Sequence, residues 1–330
     1  MGFRIHPAWW PLGALASPVL LPMMLVKNRR FKDNIEKADS LNRQRIDRAA
    51  FLALPQLEEF EITVLVEEKK EEQFEGAPGI SYLIKTEQGS VLFDLGFGPG
   101  TPALAHNANK LGFKINQVDG LAISHLHPDH MGGFRAARKK RVTVPRQLGK
   151  IKEIPCFLPE KATAPGFQVD VVDKPRMLAA GLASTGPLAR SLFLMGWTEE
   201  QALVARIKDK GLVILTGCGH PTIETIVKMV RRISDVPIYA IGGGLHFPIT
   251  DSPLRRFGIK TQMLWGTGKP PWQRISDEDL QRTIDNMNAI KAEHVFLSGH
   301  DTCDYALEQF QKGLRAETTV LKAGATYTLS

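Results

Sequence analysis

The stretch Ala122 to Gly133, AISHLHPDHMGG, constrains this chain more than any other. It places three of the nine histidines and one aspartate within six residues, directly after an apolar run and just before two glycines. His125 and His127 stand two positions apart, so in extended backbone both project to the same side. Pro128 forces a turn that lets Asp129 and His130 face the first pair across a small gap. Gly132 and Gly133 remove side chains where the next element begins close by. Imidazole and carboxylate are ligands for zinc and other divalent first-row metals, and four such groups cannot be buried this close without a compensating cation. One histidine alone is most often a structural or surface residue, but this packed set after a strand reads as a metal site.

The surrounding pattern is that of a layered α/β protein. From Phe60 the segments FEITVLVEE, ISYLIKT, SVLFDLG and GLAISH read as strands, with helical patterns at Thr101–Leu111 and Gly133–Lys140. The second half repeats the theme. QALVARI, GLVILTG, PIYAIGGG and HVFLSGH read as strands, and TIETIVKMVRRI and DEDLQRTIDNMNAI as helices. Two successive strand-rich halves flanked by helices predict two stacked sheets with helices outside, an αββα sandwich over residues 56–330. Functional residues then belong on loops at one edge of the sandwich.

The first 55 residues differ. Pro7 to Val26 is twenty residues without a charge, followed by Lys27, Arg29 and Arg30. The length suits a bilayer span, and a span would leave the body in the cytoplasm by the basic cluster behind it. Pro7, Pro11, Pro18 and Pro22 argue against a straight helix. A cleaved leader is the competing reading, with Ala14–Ala16 as the cleavage site, but Arg4 alone makes a thin basic region and the apolar run continues beyond it. An arm packed on its own domain is the third reading, and membrane association is favoured. Residues 27 to about 55 follow as a charged, exposed linker helix with Ile35, Leu41, Ile46, Phe51 and Leu52 roughly on one face.

Lys and Arg outnumber Asp and Glu by 42 to 35. Gly132 to Lys152 holds eight of these cations and no acid. A solvated helix-loop surface explains the run; the sharper reading is a rim that favours anionic substrates or an anionic membrane surface. Nucleic acid is disfavoured, because no aromatics interleave and no reader motif accompanies the run. Cys156, Cys218 and Cys303 are odd in number and widely spaced, which is no disulfide framework.

SHLHPDHMGG resembles the His-x-His-x-Asp-His signature of the metallo-β-lactamase superfamily, and VLFDLGFGPG its upstream strand-Asp-Gly segment. LASTGPLAR, EEQALVARIKDKGLVILTGCGH, IYAIGGGLHF and VFLSGH resemble, in order, the branch named for 7,8-dihydropterin-6-yl-methyl-4-(β-D-ribofuranosyl)aminobenzene 5′-phosphate synthase. The resemblance covers roughly residues 60 to 330. It implies that His125, His127 and His220 bind a first metal, and that Asp129, His130 and His300 bind a second. It further implies that Asp94 orients the metal loop by hydrogen bonds. For His246, proton donor, phosphate contact and plain buried histidine all stay open. Two departures are visible. Where many two-metal members carry a bridging aspartate this chain has Cys218, either a thiolate ligand or a small buried residue. At Gly299–Cys303, GHDTC, an aspartate follows the histidine where the branch more often has cysteine.

The implied cofactor is one or two divalent cations, zinc first, with iron or manganese as alternatives. The implied chemistry is hydrolysis of an ester-type bond by a metal-bound hydroxide, on a phosphoester or another small anion, with Asp129 and His246 as the catalytic side chains. Three rivals are weighed beside it. They are a di-iron redox protein, for which no flavin fingerprint is present; a membrane-tethered scaffold, for which the ligand set is too complete; and a nuclease, for which no clamp domain is visible. Ser252 to Arg274 is read as a lid or pocket wall, or as a plain surface insertion.

Overall fold

The computed structural model describes residues 5–252 and 255–329. Arg4 therefore lies outside the described residues, as do Pro253 and Leu254 of the insertion after His246. Two sheets form. The first runs, in spatial order, Thr326–Leu329, Phe60–Val66, Ser81–Thr86, Gly89–Phe93, Gly120–Ala122, Pro155–Leu158 and Gln168–Val171. The second runs Glu317–Val320, His294–Leu297, Ile238–Gly243, Gly211–Thr216, Leu203–Ile207, Ala183–Ser184 and Arg176–Met177, with Gln56–Leu57 pairing beside Leu203–Ile207. Ile62, Val64 and Tyr82 of the first sheet pack with Val213, Leu215 and Phe296 of the second. Helices α5 (Ile223–Ile233), α6 (Asp277–Ile290) and α7 (Asp304–Gly313) cover the second sheet's outer face. Helix α2 (Ala103–Lys110) packs on the first. This is the expected αββα sandwich. Gly211–Thr216 and Ile238–Gly243 are buried at every position, because central strands covered on both faces need no polar alternation.

Helix α1 departs from the sequence reading. It is one continuous helix, Trp10–Arg48, with Pro18 and Pro22 inside it. Pro18 has no N–H to give the carbonyl of Ala14, and the Ser17 hydroxyl donates to that oxygen instead, at 2.7 Å. The exposed linker expected after residue 27 is a docked helix. Phe31, Ala38 and Asn42 are buried, and Asn42 grips the backbone of Ala189 from both sides, accepting from its N at 2.7 Å and donating to its O at 2.9 Å. Arg45 reaches the Pro187 carbonyl and the Glu199 carboxylate. Those polar anchors carry no hydrophobic period, which is why the pattern did not show the docking. Phe51, assigned to the apolar face, is 60% exposed. The apolar first half of α1 stays exposed, from Trp9 and Trp10 through Leu15 to Val26. By length and composition it is able to cross a membrane. Its tip bends back to the body: His6 N donates to the Gly258 carbonyl at 3.1 Å and Trp9 Nε1 to that of Phe257 at 3.0 Å.

Candidate metal centre

Strand ends deliver the site residues. Phe93 leads to Asp94, Ala122 to His125, Thr216 to Cys218 and His220, Gly243 to His246, and Leu297 to His300 and Asp301. Within each sheet these strands pair in parallel with one another, so their carboxyl ends open on one edge, the usual place for a binding crevice. Pro128 starts the short helix α3 (Pro128–Met131), which turns Asp129 and His130 back towards the first two histidines. Gly132 ends it at φ 105°, where a Cβ would run into the Thr143 carbonyl. Asp94, His246 and Asp301 also take left-handed backbone, with φ of 63°, 59° and 56°. Non-glycine residues tolerate that conformation where the surrounding structure holds them to a task.

The donors expected from distant parts of the chain do meet. Nitrogens of His125, His127 and His220 lie within 4.8 Å of one another, as do donor atoms of Asp129, His130 and His300. Cys218 stands between the two groups: its Sγ is 3.1 Å from His130 Nε2 and 3.4 Å from His300 Nε2. His220 Nε2 is 3.3 Å from His127 Nδ1, and His300 Nε2 is 3.4 Å from Asp129 Oδ2.

Hydrogen bonding on the outer side of each ring decides what it turns inward. The Ser124 hydroxyl donates to Asp94 Oδ2 at 2.6 Å and so accepts from His125 Nδ1 at 2.9 Å. That leaves the lone pair of His125 Nε2 facing inward, fully buried and without a hydrogen-bond partner among the described residues. His130 Nδ1 is held by Asp94 at 2.7 Å, which turns its Nε2 lone pair to the centre. His127 bonds Thr198 Oγ1 through Nε2 at 3.1 Å and offers Nδ1. A buried unpaired acceptor is costly, and the His125 nitrogen, set among the ring nitrogens of His127, His130 and His220, fits a cation. His300 is set differently. Gly79 N donates to its Nδ1 at 2.8 Å, so the neutral ring carries its proton on Nε2, directed at Asp129 and Asp301. To bind a cation His300 must turn its ring over or give up that proton.

Electrostatics agrees with this division. Burial, reinforced by neighbouring histidines, pushes His125 and His220 well below the usual imidazole range, and burial brings His127 to about 4. These rings are neutral at physiological pH, as cation binding requires. On the other side burial is outweighed. Asp301 and then Asp129 lift His300 to about 10, while His130 and then His300 hold Asp129 well below the carboxylate range. Burial, then Asp301 and Asp129, keeps Cys218 a protonated thiol in the absence of a cation.

The metallo-β-lactamase superfamily model matches residues 76–168, the segment holding Asp94 and the whole histidine loop. That segment carries the metallo-β-lactamase superfamily pattern. Over about half its length the chain is similar to 7,8-dihydropterin-6-methyl-4-(β-D-ribofuranosyl)-aminobenzene-5′-phosphate synthase of Methanocaldococcus jannaschii. The two are 24% identical over 241 residues, 55% of this chain and 78% of that one. An uncharacterised protein of the same organism is 25% identical over 235 residues, 62% of this chain and 87% of its own. A solved metal-dependent hydrolase of the β-lactamase superfamily superposes with a TM-score of 0.58 at 21% identity. That match covers 82% of this chain and 99% of the hydrolase, and it shows the shared fold.

The superfamily motifs leave part of this site unmarked. Glu200, fully buried, accepts from the backbone N–H groups of Cys218 at 3.0 Å, Gly219 at 2.8 Å and His220 at 2.9 Å. It thereby fixes the loop that carries two candidate ligands. Glu67, raised to about 7 by burial, takes the Tyr82 and Ser298 hydroxyls, and Ser298 in turn accepts from His300 N at 3.1 Å. Asp94 thus stands behind His125 and His130, Glu200 behind His220 and Glu67 behind His300, and the motifs point to Asp94 alone. Asp301, the residue at which GHDTC departs from the branch, forms a further donor group with Cys218 and His300 and stands 3.1 Å from His246 Nδ1. His246 faces the pocket with its Nε2 3.3 Å from the Trp265 carbonyl. Thr261, Gln262, Trp265 and Gly266 line the mouth, so the described part of the insertion after His246 is a pocket wall. Of the basic run, Arg135, Arg138, Lys139 and Lys140 are exposed on and just after α4 (Phe134–Arg138), a solvated surface.

Proposed function

We propose that this chain is a metal-dependent hydrolase of an ester-type bond in a small anionic molecule, a phosphoester above all. The observation that carries the reading is the inward lone pair of His125 Nε2, buried, unpaired and ringed by His127, His130 and His220. His125, His127 and His220 would hold one divalent cation, and Asp129, His130 and His300 a second, with Cys218 between them and Asp301 as a further donor. Bound there, a divalent cation supplies Lewis acidity, making water a nucleophile near neutral pH and drawing charge from the bond under attack.

The chain's own groups do the rest. Asp129, ionised beside His130 and His300, orients the attacking water by accepting a hydrogen bond from it. His246, between Asp301 and the Trp265 carbonyl at the pocket wall, holds a proton for the leaving group. Phe97, Phe134, Met195 and Trp265 give the mouth an apolar wall that excludes water and seats an uncharged part of the substrate. The anionic preference is supported by Arg190, Lys269 and Arg282 in the adjoining cavity. The phosphate in the name of the synthase relative points the same way.

Purified full-length protein should contain zinc, iron or manganese by elemental analysis and cleave bis(p-nitrophenyl) phosphate. Chelation should remove the activity and re-addition of one of those metals should restore it. Protein that neither retains nor takes up metal would refute the reading.

The same proposal places the enzyme at a membrane, through Pro7–Val26. The support is a run of exposed apolar side chains headed by Trp9 and Trp10 and followed by Lys27, Arg29 and Arg30, aromatic and basic anchors suited to an anionic lipid interface. Full-length protein should sediment with phosphatidylglycerol vesicles, and L15D/L21D should stay in the supernatant. Equal partition of the two proteins would remove the membrane assignment.

A further inference from the structure

A second cavity, of about 220 Å3, opens from His220 and His246 and runs between the strand Leu188–Leu192, the start of α5 and the Gly266–Lys269 turn. Three cations line it, but they are not equivalent. Lys269 and Arg282 both pair with Asp279. Arg190 makes no ion pair or hydrogen bond among the described residues. The carboxylates that act on it, Asp39 and Glu224, do so from beyond ion-pair distance, and Glu224 is occupied by the Asn286 amide. Burial works against the charge of Arg190.

The side chain is nevertheless held in place. Its strand is clamped next door by Asn42 on both backbone atoms of Ala189. Gly268 packs against the guanidinium so closely that a Cβ there would stand 3.1 Å from Nη2. A largely buried, positioned cation without a partner costs stability and contributes nothing to the fold. A guanidinium is the side chain whose planar fork matches an oxyanion with two parallel hydrogen bonds.

We infer that Arg190 is the specificity residue of the substrate pocket: it receives a phosphate or carboxylate that the substrate carries apart from the bond being broken. The metal centre and this subsite would then read two ends of one molecule, the reacting ester at His220 and the remote oxyanion at Arg190. The inference rests on the hydrolase reading only for the position of the reacting bond; anion binding at Arg190 stands on the cavity alone.

The test uses two phosphodiesters that differ by one group, thymidine 5′-(p-nitrophenyl phosphate) and the same compound bearing a 3′-phosphate. Metal-loaded wild type should show a KM roughly 10- to 100-fold lower for the 3′-phosphorylated ester, the size of a charge-assisted hydrogen-bond pair. R190Q should lose that preference, the ratio of the two KM values falling to within about twofold of one. R190K, which keeps the charge but not the fork, should fall between and also controls for folding. Preference retained in R190Q, or equal damage to both esters, would overturn the assignment. Calorimetry with thymidine 3′,5′-bisphosphate separates the two readings. If neither ester is cleaved the hydrolase reading fails, while a Kd weakened by the same factor in R190Q still upholds the subsite and an unchanged Kd rejects it.

Discussion

Replacing His125 and His127 together by alanine should abolish metal retention and lower turnover by at least about a thousandfold. Lewis-acid stabilisation of developing charge is worth several kcal/mol, and about 4 kcal/mol corresponds to that factor. The companion measurement is stability without metal. In wild type, His125 Nε2 is a buried acceptor with nothing to accept from, at a cost of roughly 1–3 kcal/mol. Its removal offsets much of the cavity left by the two rings. Metal-free H125A/H127A should therefore unfold within a few degrees of metal-free wild type, and only wild type should gain stability when zinc is added. A double variant that still turns over substrate, or that cannot fold even beside metal-free wild type, would show these rings to be scaffold rather than ligands.

The second large effect is expected at Glu200, which touches no candidate substrate atom. Among the described residues, its carboxylate is the acceptor for three successive N–H groups, those of Cys218, Gly219 and His220. In E200A three buried donors lose their partner, and at about 1–3 kcal/mol for each unsatisfied group, partly relieved by loop movement, the loss should total about 3–5 kcal/mol. E200Q keeps the shape but turns an amide N–H2 towards one of the donors, so it should lie between. Because the loop carries Cys218 and His220, metal affinity should also drop about 10- to 100-fold, the usual effect of groups that orient ligands. Thermal unfolding of the metal-free protein and a competitive zinc titration measure the two effects separately. Wild-type behaviour of E200A in both would show that the loop holds itself.

How much of this could be read from the chain alone follows from where each signal sits. The strands around Phe60, Ser81 and Gly211 alternate or run apolar for their whole length, so a local window reveals them. The loop from His125 to His130 is legible for the same reason, with its donors adjacent in sequence. Glu200, Thr198 and Glu67 have no such neighbours. Each acts on a residue brought close only by the stacking of strands, and a glutamate before an apolar run, as in EEQAL, looks like ordinary strand solvation until the fold closes over it. Asp301 shows in the sequence only as an irregularity in GHDTC, and the fold sets its carboxylate beside Cys218 and His300. The docking of α1 was hidden because asparagine and arginine make it, through backbone atoms of Ala189 and Pro187, rather than an apolar stripe.

The attachment of the chain's first turn to Phe257 and Gly258 carries a topological consequence. Were Pro7–Val26 to stand upright through a bilayer, Ile5 to Trp9 would emerge on the far leaflet, some 30 Å from the globular body. The two hydrogen bonds to the turn at 257–258 could not survive that separation, and the insertion whose later residues wall the catalytic mouth would lose its outer moorings. A helix lying flat along the headgroups keeps both. Perpendicular insertion and a moored pocket wall are thus mutually exclusive, so a helix set upright in lipid would leave the outer wall of the mouth untethered.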